Sequence, residues 1–203
     1  MEANLHGNTV GSRQDVFQRN IILGTLLGDG FLELNGKNYR LIADHSSKQK
    51  EYVEWKASYL KEFFPSVVEK DRLDRRTGKI YSHVIVRTRA SSVLKNYYKL
   101  FYNKGKKVIP KKLPRIINWM ILAVWIMDDG YKRNDCRALR LNTQGYDKYE
   151  QSTIRKSLLK LGIDSNIQKH QDSYCIYIPS KSYSRLKFNL EQYIIPSMKY
   201  KIA

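Results

Sequence analysis

Two stretches one hundred residues apart constrain this chain more than anything else in it: ILGTLLGDG, Ile22 to Gly30, and LAVWIMDDG, Leu122 to Gly130. Each reads as an apolar helix that stops at Asp-Gly, with an aromatic residue, Phe31 or Tyr131, directly behind. A glycine past a helix end is expected, because it accepts the left-handed backbone found there. A carboxylate is not. The last carbonyls of a helix carry about half a negative charge, so Lys or Arg is favoured. Asp-Gly is also an ordinary turn dipeptide, and one such end would mean little. Two, at matching points of the chain, call for cations.

The flanks match as well. Gln14 or Asp15 opens the first helix. FLELNGKNYRLIADHS then reads as a hairpin turning at Asn35-Gly36. Tyr52, Trp55, Tyr59 and Phe63 fall at helical spacing in a helix that Pro65 ends. A longer hairpin turns at Thr77-Gly78, and SSVLKNYYKLFY is a helix with a serine N-cap. After the basic run NKGKKVIPKKLPR the order restarts: helix to Asp129-Gly130, hairpin through Asn134-Asp135, helix closed by Gly162, hairpin through Gln171-Asp172, helix after Pro179. Each half reads helix, hairpin, helix, hairpin, helix. We expect a polar lead over 1–14, a first repeat over 15–101, a basic linker over 102–114 and a second repeat over 115–203.

Gly24 and Gly28 lie four apart on one face of the first helix, beside Thr25. Small residues at that spacing permit close backbone approach, either to the helix's own sheet or to the second helix. If the two helices pair, Asp29 and Asp129 are neighbours. Two carboxylates on two negative helix ends, with carbonyl oxygens beside them, suit Mg²⁺. A metal bridging a phosphodiester activates water and stabilises the leaving oxygen.

Charge points the same way. The chain carries 37 Lys and Arg against 19 Asp and Glu, a formal +18. Such self-repulsion is tolerated when a polyanion is the partner, and nucleic acid leads. An anionic membrane surface is second, but no basic amphipathic anchor segment is apparent, and the longest apolar run is too short to span a bilayer. Cys136 and Cys175 make no CxxC pair and read as free thiols in a reducing compartment. Abundant Lys, Tyr, Ile and Asn suggest an AT-rich genome, hence an intracellular protein of an organelle (mitochondrion or chloroplast) or the bacterial cytoplasm.

At Ile22–Gly30 and Leu122–Gly130 the sequence resembles the LAGLIDADG homing endonucleases, in their two-motif, single-chain, monomeric form. The resemblance covers nearly the whole chain. It implies an α+β fold of two pseudo-symmetric αββαββα repeats, with the motif helices at their interface and two four-stranded sheets forming a saddle on DNA. It implies site-specific, metal-dependent double-strand cleavage of a long target, leaving short 3′ overhangs. By position, Asp29 and Asp129 are the metal-binding acids, Mg²⁺ the metal and Mn²⁺ a substitute. The carbonyls of Gly28 and Asp128 are further candidate ligands. Lys201, five residues after Pro196 in IIPSMKYKI, matches a basic residue near the scissile phosphate. Lys106 or Lys107 in NKGKKVIP is its counterpart, with Lys107 taken as the site residue. His45 and Gln144, at the ends of the second strands, are candidate water-ordering groups. Val124 departs from the pattern's small residue, a bulk that Gly24 opposite can absorb. Asp128 beside Asp129 raises the question of which acid binds metal, and the position before Gly130 favours Asp129.

Strand residues alternate faces. In IYSHVIVRT the Val84 and Val86 set faces the core, which leaves Tyr81, His83 and Arg87 for DNA. Lys70 and Arg72 share a face of the partner strand. Arg40, Arg140 and Asn142 complete the expected DNA-binding set. Lys169 follows Ile167 inward or turns outward. The basic linker run is either a solvated connector or a contact to the DNA backbone. Arg suits guanine edges and Asn adenine, while Lys more often meets phosphate. The alternative functions are a group I intron RNA maturase on the same fold and a catalytically silent DNA-binding protein.

Overall fold

In a computed structural model of the chain, which describes residues 13–170 and 173–203, the duplicated order is present in full. The first repeat runs α1 (Arg13–Leu27), β1 (Phe31–Asn35), β2 (Asn38–Ser46), α2 (Lys50–Tyr59), β3 (Ser66–Leu73), β4 (Ile80–Arg87) and α3 (Leu94–Phe101). A ribbon of β5 (Tyr102–Asn103) and β6 (Lys106–Lys107) and a short α4 (Leu113–Ile116) lead to the second repeat. That repeat runs α5 (Trp119–Asp129), β7 (Gly130–Lys132), β8 (Leu139–Leu141), α6 (Lys148–Lys160), β9 (Asn166–His170), β10 (Ser173–Ile178) and α7 (Ser180–Leu190). The expected polar lead falls largely, and the Gln171-Asp172 turn entirely, outside the described residues.

Each repeat folds an antiparallel four-stranded sheet with the same order, β1-β2-β4-β3 and β7-β8-β10-β9. The turns follow the residues. Gly36 and Gly78 adopt φ +63° and +69°, where a side chain is strained. Asp74 holds its own turn by accepting from Arg76 N and Thr77 Oγ1. Asp147 caps α6 and exchanges bonds with Glu150, a capping box. The expected serine cap of α3 is a correction: Val93 holds that position with no side-chain cap, and Ser91 Oγ instead accepts from Val93 N in the preceding turn.

α1 and α5 pair at the centre. A Cβ on Gly24 would lie 2.5 Å from Val124 Cβ, so the glycine opposite does absorb the valine. α5 is buried on every side: Met120 is 4% exposed and Ile121 to Met127 not at all, as its uniformly apolar sequence requires. One core cluster includes Ile21, Ile22, Leu23, Leu26 and Leu27 of α1, Met120 to Met127 of α5, Leu139, Leu141 and Leu186. The linking segment joins that core through Ile109 and Leu113, and Ile109 N donates to Glu150 at 2.9 Å. Among the described residues, no helix is long and apolar enough to cross a membrane.

Candidate active site at the paired helix ends

Packing α1 on α5 brings two chain reversals together, each with carbonyls left over from its helix. Two lysines answer them in the same way. Lys107 Nζ donates to the carbonyls of Gly28 (2.6 Å) and Gly30 (2.7 Å). Lys201 Nζ donates to those of Asp128 (3.1 Å) and Gly130 (3.0 Å). These are the cations that a negative helix end selects, supplied from the linker and the C-terminal segment. Lys107 is thus the lysine of the pair that turns inward, whereas Lys106 is exposed. Burial depresses the Lys107 ammonium to about 8, against the pull of the three aspartates, and Lys201 is lowered for the same reason. Two tyrosines cross between repeats to the opposite helix. Tyr146 donates to Leu27 O at 3.3 Å, and the Tyr52 hydroxyl lies 3.1 Å from Val124 O.

Three carboxylates share the space between these groups, and they are not alike. Asp29 keeps 40% of its side chain exposed. Burial, then the charge of Asp128, raises it above the usual carboxylate range. Asp129 accepts from Trp125 Nε1 at 3.2 Å. Desolvation, then the charges of Asp29 and Asp128, pushes it up to about 7. Asp128 is spoken for. Its side chain is fully buried, and Oδ1 accepts from Lys56 Nζ and Tyr52 OH, both at 2.7 Å. Oδ2 accepts from Asp29 N at 3.2 Å. It fits only because Gly28 opposite has no side chain: a Cβ there would stand 2.5 Å from Asp128 Cβ.

His45 joins this network. Its ligand atoms lie with those of Asp29 and Asp128 within 4.8 Å of one another, a grouping of the kind that holds a metal. The ammonium of Lys56, 2.7 Å from Asp128 and 3.1 Å from His45 Nε2, already fills the cation's place between two of them. Asp29 and Asp129, whose affinity for protons is raised chiefly by burial, are the other carboxylates that could hold a cation. Burial, then Lys56, lowers His45 to about 4, so the ring is neutral at pH 7. Nε2 accepts from Lys56, which assigns the hydrogen to Nδ1, 3.5 Å from Asp29 Oδ2.

β8 ends at Leu141, and Gln144 donates weakly to Asn142 Oδ1 at 3.5 Å in the turn beyond. Phe31 pairs with Ile42 and Tyr131 with Arg140, so the register equivalent of His45 is Thr143. That threonine is buried and bonds Gln151 at 2.8 Å.

On the first sheet, Val84 and Val86 face the core and Tyr81, His83 and Arg87 face out. Lys70 pairs with His83 and Arg72 with Tyr81 on the same outward face. Two of the expected DNA contacts are already partnered: Arg40 bonds Glu33, and His83 lies 2.8 Å from Asp44. On the second sheet Arg140 lies between buried Leu139 and Leu141 and so faces out, with Asn142 exposed just past the strand. Lys169 shares the face of Ile167, which packs on the core, so it lies on the helix side. Lys104, Lys106, Lys111, Lys112 and Arg115 of the linking run are exposed, whereas Lys107 turns inward.

Sequence reasoning missed Tyr52 as a site residue, along with Lys56 and Trp125. Each carried a signal. Tyr52 and Lys56 are four apart, so the lysine lies on the apolar stripe of α2. Trp125 and Asp129 have the same spacing.

Residues 19–186 match the pattern of the LAGLIDADG DNA endonuclease family. The chain is 29% identical over 197 residues to a probable intron-encoded endonuclease 1 of Wickerhamomyces canadensis, covering 91% of this chain and 83% of that one. It is 30% identical over 191 residues to the cytochrome b mRNA maturase bI2 of Debaryomyces hansenii, covering 90% and 72%. Among solved structures it resembles the homing endonuclease I-WcaI bound to its DNA recognition sequence, at a TM-score of 0.85 and 24% identity, covering 100% and 96%.

Proposed function

Because the chain belongs to the LAGLIDADG DNA endonuclease family, we propose that it cuts both strands of a long, specific DNA target with Mg²⁺, or Mn²⁺ in its place. The observation that carries this reading is the pairing of Asp29 and Asp129 at two helix ends whose carbonyls are held by Lys107 and Lys201. Asp29 and Asp129 would hold the metal, with the carbonyls of Gly28 and Asp128 beside them. A bound divalent cation supplies a water made acidic at neutral pH and positive charge at the leaving oxygen.

The protein's own groups prepare that site. Lys107 and Lys201 fix the two reversals and add positive charge for a phosphate. His45 directs Nδ1–H at Asp29, and Trp125 orients Asp129. Asp128 holds Asp29 through its backbone and is itself neutralised by Lys56. The outward sheet faces, with Lys70, Arg72, Tyr81, Arg87, Arg140 and Asn142, meet the major grooves on either side. One chain supplies both acids, which supports a monomer. Cleavage across the minor groove leaves short 3′ ends. The relationship to an intron-encoded endonuclease supports intron homing in an organelle or a bacterium.

Asp29→Asn and Asp129→Asn test the reading: each abolishes double-strand cleavage of a selected target while duplex binding persists. Normal cutting by both variants would overturn it. The maturase relationship supports a second activity, read by competing group I intron RNA against target duplex. Tight duplex binding with no cleavage in any divalent metal would leave a silent DNA-binding protein.

A further inference from the structure

The sheet rows nearest the catalytic reversals differ between repeats in a way that bears on the target. In the first sheet the row directly after Gly30 is Phe31, Ile42, Arg87 and Ser66. In the second, the matching row after Gly130 is Tyr131, Arg140, Tyr177 and Asn166. Register makes Ile42 and Arg140 equivalent. Ile42 is 4% exposed and offers a base nothing but an apolar surface. Arg140 offers a guanidinium.

Arg140 is also unlike other outward arginines. Arg40 is committed to Glu33, and Arg133 to Asp135 in the neighbouring loop. Arg72 and Arg87 are exposed. The Nε of Arg140 is buried and has no hydrogen-bond partner, while the residue as a whole stays half-buried. Its cross-strand neighbours are two tyrosines, with Cys175 close by. Its stem is therefore packed into the sheet surface. Arginine paired through two terminal nitrogens is well matched to O6 and N7 of guanine, the commonest specific contact in a major groove.

We propose that Arg140 reads a guanine in the half-site beneath the second repeat, close to the cut, from a strand position where the first repeat has the apolar Ile42. The inference rests on the sheet faces being the DNA surface, as in the function proposed above. It makes the second strands of the two sheets unequal readers at a position where their register is the same.

The test is a binding selection in EDTA, in which random duplexes about two helical turns long are retained by the protein and sequenced. Wild type should enrich guanine at one fixed position. Arg140→Ala should flatten that position alone, by roughly tenfold to a hundredfold in discrimination. Arg140→Lys should flatten it too, since it keeps charge and bulk but loses the paired donors; a thermal melt verifies that both variants fold. An unchanged consensus in both variants overturns the assignment. So does uniform weakening at every sequence, which marks a phosphate contact, or a wild type that retains no duplex. Adding Mg²⁺ to the selected duplexes separates the two readings: binding without cutting sinks the nuclease and leaves the guanine contact standing.

Discussion

The first repeat lends the site Tyr52, His45 and Lys56, and two of these reach across the interface to Asp128 of the second. The second repeat has Thr143 and Gln151 in the corresponding region, and their bonds close within that repeat. Gln151 Nε2 donates to the carbonyls of Thr143 and Tyr174, and Thr143 Oγ1 donates to Gln151 Oε1. The difference traces to one position. The motif has Gly28 just past the end of α1 and Asp128 in α5, and the two face each other. An acid at that point has no water to turn to. It is tolerated because a lysine and a tyrosine come from the other half, and this makes each repeat depend on its partner.

The largest expected effect breaks that dependence. Lys56→Met leaves a buried, unpaired carboxylate, and we expect a loss of about 3–5 kcal/mol. Gln151→Leu, its neutral counterpart, should cost about 1–3 kcal/mol. Lys56→Met with Asp128→Ala should recover most of the first loss, because no charge is then stranded. Urea midpoints at constant slope measure all three. A Lys56→Met variant no less stable than Gln151→Leu would mean that the cross-repeat pair has no special weight.

The contrast also explains what could be read in advance. The repeat order was legible because helix ends, hairpin turns and strand alternation are local signals. Gly36, Gly78, Gly162, Val84 and Val86 announce their roles within a few residues. The acids were legible because they break a local rule at two equivalent places. Lys56 was hidden because its partner is 72 residues away, and only the crossing of α1 and α5 brings Asp128 to it. That Thr143 is the register equivalent of His45 was hidden for a related reason. The hairpin between β7 and β8 has a longer loop and shorter strands, so counting residues from the motif drifts while the hydrogen-bond register does not. Choosing Lys107 over Lys106 also needed three dimensions, since both precede the same Ile-Pro.

The interface itself gives the next test. Gly24→Ala forces a methyl into Val124 and should cost about 1–3 kcal/mol. Val124→Ala alone should also destabilise, by leaving a small cavity. Val124→Ala removes Cγ1, 2.8 Å from the added methyl, but leaves Cβ at 2.5 Å and Ile121 O at 2.9 Å, so the double variant should keep most of the Gly24→Ala loss and fall only slightly short of the sum. Strict additivity in thermal melts would argue against direct contact between these positions.

A smaller effect separates the two acids. A carboxylate whose folded pKa is raised contributes stability that is full below its unfolded value and lost as pH rises through the folded one. For Asp129 that window runs from about 4 to about 7. Metal-free protein should therefore lose stability across it, and Asp129→Asn should remove more of the slope than Asp29→Asn. Mg²⁺ should stabilise more at pH 8 than at pH 5, because it competes with the proton that Asp129 holds at lower pH. Melts in EDTA and in Mg²⁺ across this range measure it, and parallel profiles for wild type and Asp129→Asn would exclude that acid as the titrating group.

The smallest effect concerns the two sheets as DNA surfaces. Lys70 pairs with His83 on the outward face of the first sheet, whereas Lys169 pairs with Tyr174 on the helix side of the second. Formal charge is the same, so a field-only account predicts equal consequences for both. A contact account does not. Lys70→Ala should weaken binding to all sequences alike and reduce the log–log salt slope by about 0.9, one neutralised phosphate. Lys169→Ala should leave the slope unchanged. Equal slopes for the two variants would mean that the outward face of the first sheet makes no closer contact with the backbone than the helix side of the second.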